Sequence, residues 1–135
     1  MGKGVGSDMK KTLITLFLSL FLVLAIGLVS GAVSKNTADK LCRQAECVQE
    51  CARAGDFAGA LRHCSLAEEI WQKREGLLQM WTVHEDTDAV GLLIAKTRAA
   101  VEQKSSLHTL LLCEEMRMSM EHLYHRDAPG WENIF

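Results

Sequence analysis

The stretch KKTLITLFLSLFLVLAIGLVSGAV, from Lys10 to Val33, decides how the chain is organised. After Lys11 no charged residue occurs until Lys35. A helix that crosses a bilayer needs about 20 mostly apolar residues, at a rise of about 1.5 Å per residue. The run therefore predicts a transmembrane anchor over residues 12–33, and the lipid bilayer is the first partner that the sequence implies.

The flanks of this run predict its orientation. Lys10 and Lys11 favour a cytoplasmic segment over residues 1–11, which places the domain after the anchor outside a bacterial cell membrane. Small residues before a break after Ala32 also fit a cleaved signal peptide, but the run exceeds the 7–15 residues, roughly, of a signal-peptide core. An uncleaved single-pass anchor is therefore favoured.

The first residues, MGKGVGSD, are rich in glycine, and we expect them to lack regular structure. Translation from Met9 instead of Met1 would give MKKTLITLF, a start that is typical of exported or anchored bacterial proteins. Gly27 and Gly31 form a small-residue pair at a spacing that lets two anchors pack closely. A homodimer through the anchor is one interpretation, and chance occurrence of two glycines in an apolar helix is the other.

The part of the chain after the anchor is mildly acidic. After Val33 the sequence has 12 Lys and Arg residues against 16 Asp and Glu residues, a net charge of −4 with histidine neutral. Nucleic-acid binding proteins present a clustered basic face, so this balance argues against a nucleic-acid partner. With one proline and one tyrosine in the whole chain, the composition favours helices over strands.

Apolar residues recur every three or four positions in four segments, which predicts an all-α domain over residues 34–125. The expected architecture is a small antiparallel bundle of two helical hairpins, with an apolar tail over residues 126–135. Asn36 or Thr37 is a candidate cap for the first helix, and His84–Thr87 is expected to be a polar break. The predicted helices are 34–54, 56–83, 88–104 and 107–124.

The junction GDFAGALRHCSLAEEI resembles half of a tetratricopeptide repeat. Gly55-Asp56-Phe57 occupies the turn of that repeat, and Ala60 and Ala67 stand where its small residues let two helices approach. No second copy occurs at a period of about 34 residues, so we interpret the junction as a helical hairpin.

The whole chain resembles the bacterial family catalogued as domain of unknown function 4363. The resemblance is carried by the N-terminal membrane helix, the Gly55-Asp56-Phe57 turn, Trp71, His84 and the terminal Asn133-Ile134-Phe135. It implies a small membrane-anchored helical protein, found mainly in spore-forming Gram-positive bacteria. The five cysteines and the Pro129-Gly130 pair depart from the family pattern.

The cysteines allow several interpretations. If the first two helices fold back at Gly55, Cys47 and Cys64 face each other, and a disulfide between them is geometrically allowed. Alternatively, Cys64 and Cys113 are small core residues. Cys47 and Cys51 share a helix face and supply half of a metal site, without the spacing of a zinc motif.

No catalytic constellation is evident. No serine or cysteine has a base at a recognisable spacing, and His84-Glu85 lacks the second histidine of a zinc protease motif. Glu121, His122 and His125 could bind a divalent ion, although histidines at a helix C-terminus are more simply explained by the helix dipole. We therefore expect a non-enzymatic protein with no catalytic residues, no cofactor and no resident metal.

The apolar tail is the candidate partner-binding segment. Trp131, Ile134 and Phe135 either fold back over Trp71 or Trp81 or dock into another protein. The sequence thus favours a membrane-tethered accessory or scaffold protein that acts by protein–protein interaction on a membrane-protein partner. The alternative is a redox- or metal-responsive sensor, and its residues would be Cys42, Cys47, Cys51 and Cys64.

Overall fold

In the computed structural model the backbone is described at residues 3–80 and 84–127, and side chains at residues 8–80 and 85–122. Within these residues every regular element is a helix, which confirms the all-α prediction. The four helices are α1 (Lys3–Arg53), α2 (Phe57–Leu78), α3 (His84–Glu102) and α4 (Ser106–Asp127). The chain divides into two compact units, Met1–Ser30 and Gly31–Phe135.

The first unit consists of the apolar part of α1. Among the described residues one helix, over Asp8–Arg53, is long and apolar enough to cross a membrane, and its most apolar stretch of 18 residues has a mean hydropathy of 2.7. None of its most apolar window is buried within the protein. The Thr15 and Ser19 hydroxyls donate to the carbonyls of Lys11 and Leu16, each over 2.9 Å. Such internal bonds satisfy polar groups that lipid cannot serve.

Two expectations about α1 were wrong. The glycine-rich start was expected to be irregular, and a new helix was expected to begin at Ser34, but residues 3–53 all belong to one helix. Thr37 explains the second error, because its hydroxyl does not cap a helix start. It donates over 2.8 Å to the carbonyl of Val33, four residues earlier, as a threonine inside a helix does.

The second unit is an antiparallel bundle in which polar contacts join neighbouring helices. His63 Nδ1–H donates over 2.9 Å to Gln44 Oε1, between α2 and α1. Arg98 donates over 2.7 Å to the carboxylate of Glu68, between α3 and α2. Between α1 and α4, Gln49 Nε2 donates over 3.4 Å to the carbonyl of Leu110. Polar contacts thus tie α1 to α2 and α4, and α2 to α3.

The turn between α1 and α2 has the chemistry that the sequence predicts. Gly55 has φ +74°, a left-handed conformation that glycine adopts without steric cost. The Asp56 carboxylate accepts the Gly59 N–H over 2.8 Å and caps α2. A Cβ at Gly59 would overlap the Asp56 carboxylate and lie 3.1 Å from Cys51 Sγ, so an alanine there would force these side chains to shift.

The turn between α3 and α4 uses a lysine where glycine is more usual. Lys104 has φ +53°, and the Ser105 N–H donates over 3.0 Å to the carbonyl of Ala100, which closes the end of α3. The Ser106 hydroxyl donates over 3.2 Å to the carbonyl of Ala52. This bond shows that both tight turns lie at the same end of the bundle.

The predicted polar break at His84–Thr87 was also wrong, because α3 begins at His84. Glu85 and Asp86 lie in its first turn. Carboxylates there interact favourably with the positive end of the helix dipole. A cluster of polar residues therefore starts this helix instead of interrupting the chain.

The core follows the predicted apolar stripes. Its buried members come from all four helices and include Leu41, Ala45, Val48, Cys64, Ala67, Trp71, Leu78, Val90, Ile94, Val101, Cys113, Met116 and Met120. A smaller cluster of Leu93, Ala100 and Leu112 lies between α3 and α4. Burial of these side chains supplies the main stabilisation of the bundle.

Candidate functional site

The two core cysteines lie close to one another and are chemically inert at neutral pH. Burial raises the pKa of Cys64 to about 11 and that of Cys113 to about 12, and the neighbouring Cys64 adds to the shift at Cys113. A thiol is a nucleophile or metal ligand only as the thiolate. These two cysteines therefore act as small apolar core residues, as one sequence interpretation expected.

The remaining three cysteines lie on α1 and are partly exposed. All five are free thiols in the structure. Cys64 lines a cavity of about 10 Å³ together with Ala45 and Val48, at the centre of the bundle. Burial, followed by the charge of Asp56, raises the pKa of the Cys51 thiol. The Cys47–Cys64 disulfide stays a prediction about an oxidising environment.

A metal site has little support in the described part of the chain. Among residues 8–80 and 85–122, no three His, Cys, Asp or Glu side chains are placed so that they could hold a metal ion. Within these residues no third possible metal ligand is placed beside Cys47 and Cys51. The side chains of His84 and His125 lie outside the described residues.

A shallow groove of about 190 Å³ runs between α1 and α4. Cys42 lies in it, with carboxylates of Asp39, Glu46 and Glu121 and the guanidinium of Arg117 around it. Burial is the main cause that raises the pKa of the Cys42 thiol; the charge of Arg117 opposes the shift, and the three carboxylates add to it. The groove therefore does not activate its thiol.

Trp71 is the largest aromatic side chain in the described core, and its ring nitrogen is unusual. The buried Nε1–H finds no hydrogen-bond acceptor among the described residues. A Cβ at Gly91 would lie 3.1 Å from this nitrogen, so the indole packs directly against the backbone of α3. An unsatisfied buried donor costs stability, which the burial of the large ring offsets.

The outer face of α4 was not singled out from the sequence. We define it as Leu107, Leu111, Glu114, Glu115 and Met118, all of which are exposed. The opposite side of the same helix is buried, with Cys113 and Met116 in the core. The signal was present in the sequence, because LHTLLLCEEMRMSM has too many apolar residues for a single stripe.

Several predicted site residues cannot be placed. Trp81 and the tail residues Trp131, Ile134 and Phe135 lie outside the described residues. A Cβ on Gly27 or Gly31 would meet nothing within 4 Å. The anchor-packing and tail-docking interpretations therefore stay predictions.

The family described as Domain of unknown function (DUF4363) matches residues 30–134. The chain belongs to the DUF4363 family. The match begins where the second unit begins, so the DUF4363 region and the helical bundle are the same part of the chain. No curated protein and no solved structure matches the chain. The resemblance that the sequence indicated is confirmed at the level of the family.

Proposed function

We propose that this DUF4363 protein is a membrane-tethered, non-enzymatic accessory or scaffold protein that binds a membrane-protein partner. The observation that carries the proposal is the difference between the two units. One unit exposes a run of large apolar side chains over residues 13–29, and the other is a packed helical bundle. A run of that length suits lipid, and a bundle attached to it would present its surface to other membrane proteins.

The interior of the bundle supports a binding role over a catalytic one. The cavity among the four helices has a volume of about 10 Å³, room for about one water molecule at most. The core thiols are protonated at neutral pH, and within the described side chains no observation favours the sensor alternative. A binding role would therefore use the surface of the bundle.

The proposed orientation places the N-terminus in the cytoplasm and the bundle outside a bacterial cell membrane. Lys10 and Lys11 support it through the excess of positive charge that cytoplasmic flanks carry. Attaching a membrane-impermeant label to a cysteine placed at Lys40 in whole cells would test it. We expect labelling before lysis. Labelling only after lysis would mean that the bundle lies in the cytoplasm, opposite to the proposed orientation.

The central experiment is an in-cell crosslinking pull-down of the full-length protein from its native host. We expect one reproducible integral membrane partner. The matched control carries residues 1–33 of this chain fused to an unrelated soluble domain. Recovery of the same proteins with this control would mean that the bundle contributes no specific binding, and the proposal would be wrong.

A second variant tests the tail. A chain that lacks Trp131–Phe135 should lose the partner if the apolar tail is the docking segment. Retention of the partner would move the interface to the bundle or the anchor and would still agree with an accessory role.

A further inference from the structure

The outer face of α4 has an apolar stripe that the bundle does not use. The exposed fractions are 72% for Leu107, 62% for Leu111 and 55% for Met118. At 100° per residue these three positions fall within about 40° of one another around the helix axis. At a rise of 1.5 Å per residue the stripe is about 16 Å long.

This stripe differs from the other exposed leucines of the bundle. On α2 and α3, Leu66 and Leu92 are the exposed large aliphatic residues within the described side chains, one on each helix. Single exposed apolar residues are normal on protein surfaces, whereas a line of them marks an interaction site. A helix that is apolar on both sides is expected to have a second neighbour.

The charges beside the stripe indicate the chemistry of that neighbour. Glu114 is paired with Arg117 at 3.2 Å. Glu115, by contrast, forms no ion pair with any described residue, and its exposed side chain lies beside the stripe, about halfway along it. Glu121 adds a further exposed carboxylate one to two turns later. Negative charge is thus concentrated on the C-terminal half of the face.

We propose that the outer face of α4 binds an amphipathic helix of the partner protein, with an apolar stripe and lysine or arginine flanks. This inference rests on the proposed accessory function and names the surface that carries it. An apolar line over three turns matches the way one helix binds along another, through residues three, four and seven positions apart. A basic side chain opposite Glu115 would complete the charge complementarity.

The same charges argue against two other occupants. If a second copy packed antiparallel, with Leu107 against Met118, both copies of Glu114 and Glu115 would lie near the two-fold axis and repel each other. An anionic lipid surface would likewise repel a stripe that carries unpaired carboxylates. A basic helix satisfies both the apolar and the charged parts of the face.

The test uses the full-length protein in nanodiscs of phosphatidylcholine, with empty discs as the blank. The probes are two labelled helical peptides of about 18 residues with the same leucine stripe, one with lysine flanks and one with glutamate flanks. We expect the lysine peptide to bind at least about tenfold more tightly, as measured by fluorescence anisotropy. Equal affinity for the two peptides, or no binding of either below about 1 mM, would overturn the proposal.

Two variants separate docking from general attraction between opposite charges. Leu111→Glu should weaken binding of the lysine peptide by at least about tenfold, although it adds a negative charge that would strengthen a purely electrostatic contact. The matched control is Leu92→Glu, in which a similarly exposed leucine of α3, 55% against 62% for Leu111, receives the same charge. The affinity of Leu92→Glu for the lysine peptide should stay within about twofold of the wild-type value. If Leu111→Glu bound the lysine peptide as tightly as wild type or more tightly, the outer face of α4 would not be the site. An equal loss of affinity in Leu92→Glu would give the same conclusion.

Two further measurements exclude the other occupants. Sedimentation of wild type and of Leu111→Glu should give the same protein mass per disc. If wild type were a dimer and Leu111→Glu a monomer, the occupant of the face would be a second copy of the chain. Removing residues 128–135 should leave the peptide affinity unchanged, and an increase of about tenfold would make the tail the occupant. Failure of the peptide test would reject this surface without affecting the outcome of the pull-down, so the two proposals fail separately.

Discussion

The two units of this chain place their apolar side chains in different surroundings. In Met1–Ser30 the large apolar residues, such as Leu18 and Phe21, are exposed on every side of the helix. In Gly31–Phe135, Leu41 and Leu78 are completely buried against other helices. The residue types are similar, but in the first unit they form an unbroken run and in the second they recur every three or four positions. The pattern, and not the apolar content, therefore distinguishes a helix that exposes its apolar side chains from one that packs them against other helices.

Polar side chains repeat the same contrast. In the first unit the described hydroxyl groups bond to the carbonyls of their own helix. In the second unit side chains such as Gln49, Arg98 and Ser106 reach a neighbouring helix. The first unit is therefore locally self-sufficient in hydrogen bonding, whereas the second depends on contacts between distant parts of the sequence.

The strongest way to break this comparison is to place charge in the apolar run. We expect Leu20→Lys combined with Leu24→Lys to cost about 6 kcal/mol for membrane insertion, because each lysine at the centre of a span costs about 3 kcal/mol. The protein should move from the carbonate-washed membrane fraction into the supernatant. Leu92→Lys, on the solvent side of α3, is the control and should not change the fraction. If the double variant stays in the membrane, the run is not the anchor.

The corresponding test in the second unit is Trp71→Ala. Because the indole is buried, we expect a loss of about 3–5 kcal/mol in the free energy of unfolding, measured by urea denaturation of the full chain in detergent micelles. Gly91→Ala should change the free energy of unfolding much less, because crowding of its new Cβ against Trp71 Nε1 at 3.1 Å opposes a gain of about 1 kcal/mol in helix propensity. An unchanged unfolding midpoint in Trp71→Ala would contradict the packing of the indole in the core.

The core thiols sharpen the comparison, because they report how well the bundle excludes water. At pH 8 the thiolate fraction of Cys64 should be about a hundredfold below that of a thiol with the ordinary pKa of 9.0. Iodoacetamide should therefore label Cys64 and Cys113 slowly in the native protein and label all five cysteines in denaturant. Rapid native labelling of either residue would revive the sensor alternative.

The same pKa values predict how stability depends on pH. Below pH 9 both thiols are protonated in the folded and unfolded states, and their contribution is fully present. Between pH 9 and about 11 for Cys64, or about 12 for Cys113, the unfolded state releases protons that the folded state retains. The free energy of unfolding should therefore fall as pH rises through this window. The double variant Cys64→Ala with Cys113→Ala should show a smaller slope, and the part that remains would include the raised pKa values of Cys42 and Cys51.

The smallest expected effect concerns the turn between α1 and α2. Asp56→Ala should cost about 1 kcal/mol, because the Gly59 N–H loses its carboxylate acceptor. Asp56→Asn retains a side-chain oxygen and should be close to wild type in urea denaturation. Equal losses in the two variants would mean that the cap does not stabilise this turn.

Sequence reasoning predicted the parts of the fold that depend on local patterns. The stripe Leu41, Ala45, Val48 and Ala52 is buried as expected, and Gly55 and Asp56 form the turn and cap. These features result from helical periodicity and from backbone conformation, both of which act over a few residues.

The errors arose where tertiary context or helix continuation decides the outcome. Thr37 has the chemistry of a cap, but its hydroxyl can also bond within a helix, and the sequence does not distinguish the two uses. The proximity of Cys64 to Cys113 depends on how α2 faces α4, which no local pattern encodes. The outer face of α4 was overlooked because the inner stripe of that helix already accounted for its burial.

The bonds between α1 and α4 have a consequence for synthesis of the protein on the ribosome. Gln49 and Leu110 are 61 positions apart, and Ser106 lies 54 positions after Ala52. At an elongation rate of about 5–20 residues per second, roughly 3–12 s pass between synthesis of these residues of α1 and synthesis of their partners in α4. During that interval α1 can pair with α2 alone. Until α4 is made, that side of α1 is uncovered, and α1 is most accessible to other proteins at that stage.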